Sequence, residues 1–352
     1  MQRLIANRRL KFVAYAVVTL ALIVLPFMVD ATLGRAWVRI IDVALLFTML
    51  ALGLNIVVGY AGLLDLGYVA FFAVGAYSYA LLASPQHAIH APFLLVLPLG
   101  AVIAAGFGVL LGAPTLKLRG DYLAIVTLGF GEIIRIFLNN LNRPFNLTNG
   151  PQGITLVDPL QIGALSLSKT FTVAGVTIAP VHSYYFVFLA CACLIIVLSI
   201  RLEDSRIGRA WIAIREDETA ARAMGINTRN IKLLAFAMGA TFGGISGGLF
   251  AAFQGFISPE SFTLLDSIMI LCMVVLGGMG HVPGVVLGAV LLTALPEALR
   301  YVGPLQTQWL GRVYIDPSDL RMLLFGLALV LMMLFRPAGL WPSKVRKREL
   351  SA

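Results

Sequence analysis

Charged side chains are scarce in this chain. Asp, Glu, Lys and Arg together make up 12% of its 352 residues, whereas hydrophobic types make up 59%. Soluble domains carry about 25% charged and about 45–50% apolar residues, because part of the surface must be polar for the protein to stay in water. A folded enzyme in aqueous solution is therefore excluded. The composition predicts an all-α polytopic membrane protein, in which each helical span takes about 20 apolar residues.

Cysteine and histidine are also rare, with three and four residues. The cysteines lie in apolar runs, and their spacing matches neither a metal site nor a disulfide framework. His87 and His90 are three positions apart, but a pair of histidines without a carboxylate is not a zinc site. The chain also lacks the G-x-x-x-x-G-K-[ST] loop that cradles nucleotide phosphates. The sequence therefore predicts no metal, no cofactor and no enzymatic activity in this chain.

Runs of apolar residues predict ten membrane spans. The first run, from Phe12 to Val29, is 18 residues long, which exceeds the roughly 7–15 residues of a signal-peptide core, so we interpret it as a retained span. The third, eighth and ninth runs are rich in glycine and could form short, broken or re-entrant helices, which leaves counts of eight or nine open. The predicted spans are residues 12–29, 40–60, 67–83, 92–112, 121–140, 182–200, 231–256, 265–280, 284–300 and 319–335.

The basic residues predict how the chain crosses the membrane. Its formal net charge is +9, from 26 Lys and Arg against 17 Asp and Glu. With the N-terminus inside, the inner side holds four cations before the first span, two at Lys117 and Arg119, seven from Arg201 to Lys232, and five from Arg336 onward. Because cytoplasmic loops carry an excess of Lys and Arg, both termini are predicted to be cytoplasmic. The excess charge thus indicates topology and not a nucleic-acid partner.

Two long polar segments separate the predicted spans. Residues 141–181 are expected outside, as a periplasmic loop, and residues 201–231 inside, as a cytoplasmic loop. Spans 2–5 then start from the outside and spans 7–10 from the inside. Equal groups of opposite orientation are typical of an inverted repeat, whose interface often carries the transport pathway. We treat residues 1–352 as a single transmembrane domain.

The cytoplasmic loop contains the pattern of one amphipathic helix, from Gly208 to Met224, with Gly225 ending it. Apolar side chains recur at three- and four-residue spacing and form a stripe along this helix: Ile207, Ala210, Trp211 and Ile214. A mixed-charge cluster follows, which we expect to point away from the bilayer: Arg215, Glu216, Asp217 and Glu218. Such a helix docks either on a soluble partner or on lipid headgroups.

Polar residues within predicted spans are costly and are therefore functional candidates. Glu132 and Arg135 are spaced to pair on one helix face, either along a transport path or as a fixed structural ion pair. Other candidates surround the end of the second span, where glycines at positions 59, 62 and 67 permit close packing or a break in the helix. The predicted path residues are Asn55, Tyr60, Gly62, Asp65, Thr127, Glu132 and Arg135.

Ser246 lies in the glycine-rich seventh span and has the Gly-x-Ser-x-Gly spacing of a serine-hydrolase elbow. That elbow needs a strand, a sharp turn and a helix, which a membrane helix does not supply. We favour close helix packing by Gly239, Gly243 and Gly247 as the reason for these glycines. An intramembrane serine hydrolase stays as the alternative.

Six stretches of the chain together resemble LivM-type permeases of branched-chain amino acid ABC importers, in the expected order. They are residues 53–77 (GLNIVVGYAGLLDLGYVAFFAVGAY), 119–136 (RGDYLAIVTLGFGEIIRI), 149–154, 205–227 (SRIGRAWIAIREDETAARAMGIN), 259–280 and 334–340. Within the fourth stretch, the segment from Thr219 to Gly225 resembles the EAA-x-x-x-G coupling signature of ABC importer permeases. It has Thr219 where Glu is usual, and it lacks the later Leu-Pro.

The resemblance implies a passive membrane subunit, in the bacterial inner membrane, that passes branched-chain amino acids inward by alternating access. Its implied partners are a homologous second permease of LivH type, two cytoplasmic ABC ATPases that bind ATP and Mg²⁺, a periplasmic solute receptor and the lipid bilayer. The ATPase-coupling residues would be Arg206, Gly208, Arg215, Glu216, Asp217, Glu218, Ala220, Ala221 and Gly225. Two other interpretations stay open: the same architecture importing urea, short amides or aromatic acids, and an ion-coupled secondary transporter in which Glu132 carries the proton.

Overall fold

The computed structural model of this chain is built mostly of α-helices. It describes residues 19–87, 89–116, 118, 120–143, 146–162, 165–173, 176–300, 306, 308, 316–336 and 339–341. The helices are α1 (Thr19–Leu33), α2 (Arg35–Leu54), α3 (Val69–Leu82), α4 (Phe93–Thr115), α5 (Asp121–Asn140), α6 (Pro180–Glu203), α7 (Arg206–Glu216), α8 (Glu218–Ala223), α9 (Thr228–Gln254), α10 (Leu264–Gly277), α11 (Val282–Arg300) and α12 (Pro317–Phe335).

Short strands occur only in the connections between helices, in the part of the chain described. They pair as antiparallel ladders: β1 (Ala83–Ser84) with β2 (Ile89–His90), β3 (Ile154–Thr155) with β8 (Phe256–Ile257), β4 (Gln161–Ile162) with β5 (Leu165–Ser166), and β6 (Phe171–Val173) with β7 (Val176–Ile178). Each strand has two or three residues, so these ladders connect loops and do not form a sheet that contributes to the core.

The helices have the lengths and composition of membrane spans. Within the described residues, six are long and apolar enough to cross a bilayer: Arg35–Tyr60, Phe93–Thr115, Pro180–Glu203, Thr228–Gln254, Pro259–Gly277 and Val282–Arg300. Two further apolar helices are shorter, Thr19–Leu33 and Val69–Leu82. The prediction of an all-α polytopic membrane protein is confirmed at this level, and the expectation that the third apolar run forms a short helix also holds.

Large apolar side chains face outward along the helices at the edge of the bundle. Leu94, Val102 and Leu110 are exposed on α4, and Leu194 and Val197 are exposed on α6. A continuous apolar surface of this kind would cause aggregation in water, whereas lipid tails cover it without cost. The exposed apolar surface of these helices is therefore suited to contact with lipid tails.

Glycine lets the central helix α9 lie directly against its neighbours. A β-carbon on Gly247 would overlap the carbonyl oxygen of Phe72, and one on Gly75 would overlap that of Gly244, so α3 and α9 touch backbone to backbone. Gly239 faces the carbonyl oxygen of Gly53 in α2 in the same way. In lipid, such close van der Waals contact is what drives helix association. The packing interpretation of these glycines is confirmed.

Ser246 takes part in this packing and does not form a hydrolase elbow. Its hydroxyl is fully buried and donates to the carbonyl oxygen of Phe242, 2.9 Å away on the same helix. Ser246 lies within the continuous helix α9, whereas a nucleophile elbow needs a strand and a sharp turn before the serine. Ser246 therefore does not belong to a nucleophile elbow, and its hydroxyl is occupied within the helix.

The bundle has two distinguishable ends. At the strand end, β3 pairs with β8, and the amide of Asp158 donates to the carbonyl oxygen of Ala83, 2.7 Å away. At the opposite end, which we call the short-helix end, α7 lies beside α8 and contacts the segment that continues α2, and this segment bonds to the turn between α10 and α11. The residues that form the candidate site are concentrated at this short-helix end.

Candidate functional site

The second span ends in a π-helical turn followed by an irregular segment, in the region where the sequence glycines allowed either close packing or a break. Residues Asn55–Tyr60 continue α2 as a single π-helical segment, and the chain then runs without regular structure until α3 begins at Val69. Gly62 adopts a positive φ of 69°, which glycine reaches without a steric penalty. All six residues of this π turn are buried. Isolated π segments in helices are frequent at functional sites, because the extra residue disturbs the regular hydrogen-bond ladder.

Side chains of the π turn bond to distant parts of the chain. The Oδ1 atom of Asn55 accepts a hydrogen bond from the amide of Gly280, at 2.8 Å, in the turn after α10. The hydroxyl of Tyr60 donates to Oε2 of Glu203, at 3.1 Å, on the last residue of α6. The sequence singled out Asn55 and Tyr60 but neither partner, since nothing in the pattern links positions so far apart.

Asp65 and Thr127, two predicted path residues, meet in the segment that follows the π turn. Asp65 is buried and its Oδ1 atom accepts from the amide of Gly67, at 2.9 Å. The Oγ1 atom of Thr127 accepts from the amide of Leu66, at 3.0 Å. A β-carbon on Gly67 would overlap the carbonyl oxygen of Thr127, so the segment lies tightly against α5. Polar side chains thus accept the hydrogen bonds of backbone amides that lie outside any helix in this segment.

Glu132 and Arg135 form the predicted ion pair on α5. The Nε atom of Arg135 lies 2.9 Å from Oε2 of Glu132, and each side chain is about one third exposed. Arg135 also lies 3.6 Å from Glu260, in the 3-10 turn Pro259–Ser261 near the strand end. The sequence did not suggest Glu260, which belongs to a separate loop. The pair therefore lies toward the strand end, apart from the Asn55 and Tyr60 contacts at the short-helix end.

Two helices, and not one, form in the segment that the sequence predicted to be a cytoplasmic loop. Ser205 caps α7, accepting a hydrogen bond from the amide of Gly208, and α7 ends at Glu216. Asp217 is extended, with φ of −151°, and its carboxylate accepts from the amides of Thr219 and Ala220 at the start of α8. Asp217 is thus an N-cap, which starts a new helix after a corner. The prediction of a continuous helix from Gly208 to Met224 is wrong for this reason.

The apolar stripe of α7 packs inside the protein. Trp211 is fully buried, and its indole Nε1 donates to the carbonyl oxygen of Ile231, at 2.7 Å, at the start of α9. Ile214 is buried as well. These side chains are covered by the protein and cannot rest on lipid headgroups, so the alternative of an interfacial helix is wrong for this face.

Arg215 points into the protein, although the sequence indicated a charge cluster directed away from the bilayer. Its Nη1 atom donates to the carbonyl oxygen of Gly59 in the π turn, at 2.7 Å. A β-carbon on Gly62 would overlap Cγ of Arg215, so the stem of Arg215 lies in the space left by this glycine. The structure thus brings together two sets of residues that the sequence predicted separately, the transport path and the coupling segment.

Glu218 fixes α8 to α9. Its Oε2 atom lies 2.7 Å from Nζ of Lys232, whose side chain is almost completely buried, and Oε1 lies 3.2 Å from Arg222. Partial burial by itself would raise the pKa of Glu218. The hydrogen bond and charge of Lys232, together with Thr228 and Arg222, outweigh that effect and lower the pKa below its ordinary value of 4.5.

This shift predicts an acid-sensitive contact. Because the pKa of Glu218 is lower in the folded chain, its contribution to stability is complete above pH 4.5 and is lost as the pH falls through the folded-state pKa. We expect Glu218→Gln to reduce the thermal stability of the purified protein at pH 7 and to flatten the loss of stability on acidification. The exposed neighbour Glu216 supplies the matched control, Glu216→Gln. Equal acid profiles for wild type and Glu218→Gln would contradict the assignment.

The predicted coupling residues divide into an exposed edge and an inward-facing group. Gly208 and Ala221 are buried and Arg215 is half-buried, and a β-carbon on Gly208 would overlap the carbonyl oxygen of Leu202. Arg206, Glu216, Asp217, Ala220 and Gly225 are exposed. Gly225 has φ of 85° and follows the last turn of α8, as predicted for a residue that ends a helix. The amides of Ala220 and Thr219 lower the pKa of the Asp217 carboxyl.

A cavity of about 280 Å³ lies beside Arg215, between α7, α8 and the start of α5. Gly62, Leu64, Asp121 and Lys232 contribute to its wall.

At the strand end, the His90 ring contacts the carboxylate of Asp158 and lines a cavity of about 440 Å³. Among the residues that the structure describes, no group of three His, Cys, Asp or Glu side chains could hold a metal ion.

Proteins similar to this chain are named as amino acid transport permeases. Residues 36–333 match the family model described as branched-chain amino acid transport system / permease component. The chain is 44% identical over 330 residues to the high-affinity branched-chain amino acid transport system permease protein LivM of Escherichia coli (strain K12), an alignment that covers 90% of this chain and 72% of that protein. No solved structure gives a significant match.

More distant relatives follow the same pattern. A probable branched-chain amino acid transport permease protein LivM of Methanocaldococcus jannaschii is 29% identical, over 71% of this chain and 69% of its own length. The high-affinity permease protein LivH of Salmonella typhimurium is 27% identical, over 84% of this chain and 90% of its own length. The chain is therefore similar to both kinds of permease that carry these names.

Proposed function

Because the chain belongs to the family of branched-chain amino acid transport permease components, we propose that it is the LivM-type transmembrane subunit of an ATP-driven importer. It passes leucine, isoleucine and valine inward by alternating access. The observation that carries this proposal is the 44% identity over 90% of the chain to a permease named for these substrates. The same architecture serving urea, short amides or aromatic acids is the alternative, since a receptor selects the solute before the permease meets it.

The proposed assembly contains further subunits. The relationship to LivH, 27% identical over 84% of this chain, supports pairing with a homologous second permease. Two cytoplasmic ABC ATPases, which bind ATP and Mg²⁺, and a periplasmic solute receptor complete the importer, in the bacterial inner membrane. This chain itself performs no catalysis.

We propose ten spans, cytoplasmic termini and an inverted repeat that relates α2–α5 to α9–α12. The pattern of helix packing supports this repeat. Helix α3 packs on α4 as α10 packs on α11, and α2 packs on α11 as α9 packs on α4. Contacts of α3 with α9 likewise have their counterpart in those of α10 with α2. In this orientation the short-helix end is cytoplasmic, residues 201–231 form the ATPase-coupling loop, and the strand end with residues 141–181 is periplasmic.

Functional roles follow from this orientation. The exposed edge of α7 and α8, with Arg206, Glu216, Asp217, Ala220 and Gly225, forms the contact with an ATPase. The transport path runs along α2 and α5, past Asn55, Tyr60, Gly62, Asp65, Thr127, Glu132 and Arg135. An amino acid already selected by the receptor needs a path with polar backbone, and the irregular segment between the π turn and α3, residues 61–68, supports such a path.

Reconstitution tests the proposal. We expect proteoliposomes that contain this chain, the second permease, the two ATPases and the receptor to accumulate labelled leucine only when ATP is inside. An ion-coupled transporter using Glu132 would instead accumulate solute with this chain alone and a proton gradient, and would lose uptake in Glu132→Gln. In the importer, Glu132→Gln should change uptake by less than about threefold, because Arg135 retains Glu260 as a partner and the pair is partly solvated. Proton-driven uptake without ATP would refute the proposal.

A further inference from the structure

The π turn is attached directly to the segment that carries the coupling helices. Two hydrogen bonds join them: Arg215 donates to the carbonyl oxygen of Gly59, at 2.7 Å, and Tyr60 donates to Glu203, at 3.1 Å. Glu203 ends α6 and Arg215 lies in the last turn of α7, so the bonds come from both sides of the α6–α7 corner. The residues that they join are 156 and 143 positions apart in the chain.

Glycines provide the space in which Arg215 reaches the π turn. Any side chain at Gly62 would collide with the stem of Arg215, and a β-carbon on Gly280 would lie 3.5 Å from its Nη1 atom. A β-carbon on Gly59 would overlap Oδ1 of Asn55 and come within 2.6 Å of the amide of Gly280. The guanidinium, the π turn and the α10–α11 turn therefore occupy one crowded point at the short-helix end.

The bond from Arg215 is suited to carrying movement. A guanidinium that donates to a buried carbonyl makes a short, directional, charge-assisted hydrogen bond. Its acceptor belongs to a π turn, in which the helix holds an extra residue, and such turns are frequent at functional sites. Arg215 therefore connects α7 directly to the residues at the end of the second span.

Resting on the function proposed above, we propose that Arg215 is a positioning residue that links the coupling helices to the π turn. The ATPase contacts the exposed edge of α7 and α8, and Arg215, on the opposite face of α7, carries the resulting displacement to the Gly59 carbonyl. Tyr60 and Glu203 form a second, weaker link of the same kind. The charge at position 215 therefore acts within the permease and not at the ATPase surface.

The test compares two arginines of α7 in the complete importer. Arg215→Met keeps the aliphatic stem and removes every donor, whereas Arg209→Met is the matched control, because Nη1 of Arg209 donates to a backbone carbonyl too, that of the nearby Asp204. We expect Arg215→Met to assemble with its ATPases and to hydrolyse ATP at a rate within about twofold of wild type, while leucine uptake falls about tenfold or more. The number of ATP molecules hydrolysed per leucine would rise accordingly. Arg209→Met should leave this ratio unchanged.

Two further variants keep the test decisive if Arg215→Met assembles poorly. Arg215→Lys keeps a cation but shortens the reach to Gly59, and Tyr60→Phe removes only the hydroxyl that bonds to Glu203. Both should raise the ratio of ATP to leucine, by less than Arg215→Met, and the effects of Tyr60→Phe and Arg215→Lys should be non-additive.

The outcomes separate this inference from the proposed function. The role of Arg215 would be overturned if the wild-type importer accumulates leucine and all of these variants hydrolyse the wild-type number of ATP molecules per leucine. Equal losses of hydrolysis and uptake in the variants would overturn it as well. Absence of ATP-dependent uptake by the wild-type assembly would instead remove the proposed function.

Discussion

Replacing Gly75 by alanine is expected to prevent stable packing of α3 on α9. The new β-carbon would overlap the carbonyl oxygen of Gly244, and it would lie 2.5 Å from the Cα atom of that residue. Backbone atoms cannot turn aside as a flexible side chain does, so the two helices must separate along their whole contact. We expect a loss of about 3 kcal/mol or more in the free energy of unfolding, at the upper end for overpacked sites. Thermal unfolding of the detergent-solubilised protein measures this change.

Gly106→Ala is the matched control for this experiment. Gly106 lies in helix α4 and is exposed, and a β-carbon added there would have no neighbouring atom within 4 Å. Alanine at this position should be neutral or stabilise the helix by about 0.5–1 kcal/mol, since glycine is a poor helix former. Equal stability of Gly75→Ala and Gly106→Ala would show that the α3–α9 contact is looser than the structure indicates.

The second large effect is expected at the exposed edge of α8. Ala220 is exposed on the short-helix end, close to Asp217 and Gly225. In the isolated chain a tryptophan side chain at this position would therefore extend into solvent. If an ATPase contacts this edge, the bulky side chain separates the two surfaces. We expect Ala220→Trp to fold like wild type but to reduce co-purification of the ATPases, and with it ATP-dependent uptake, by about tenfold or more.

An exposed alanine at the other end of the bundle supplies the comparison. Ala31, near the end of α1, is exposed as well, and Ala31→Trp adds the same side chain away from the proposed ATPase contact. It should leave ATPase binding and uptake intact. Normal ATPase recovery with Ala220→Trp would contradict the assignment of this edge.

Local features of the sequence predicted a good part of the candidate site. Glycines at positions 59, 62 and 67 allowed close packing or a break, and both occur: Gly62 has a φ of 69°, and Gly67 lies against the carbonyl oxygen of Thr127. The ion pair of Glu132 and Arg135 follows from helical spacing alone. Gly225 ends α8 because glycine adopts a positive φ readily. Each of these predictions depends on neighbours within about one turn of a helix.

The errors arose where a local pattern allowed two outcomes. The periodicity of residues 208–224 is compatible with one helix, yet Asp217 bonds to the amides of the next turn and starts a second helix. A cluster of charges usually faces water, but Arg215 has a buried carbonyl within its reach, and Glu218 has the nearly buried ammonium of Lys232. These partners are absent from the local pattern, so the direction of each side chain could not be predicted.

By itself the sequence determined that this chain is a multi-pass membrane protein, that glycines cluster where its second span ends, and that one loop differs in kind from the others. Composition, glycine placement and helical period are enough for these conclusions, since they express the preference of each segment for lipid or water and for helix or turn. Only the tertiary structure decided that Arg215 enters the π turn, that Tyr60 meets Glu203, and that Arg135 meets Glu260. Contacts between residues more than a hundred positions apart depend on how whole helices pack, and backbone contact at Gly75 and Gly247 sets that packing.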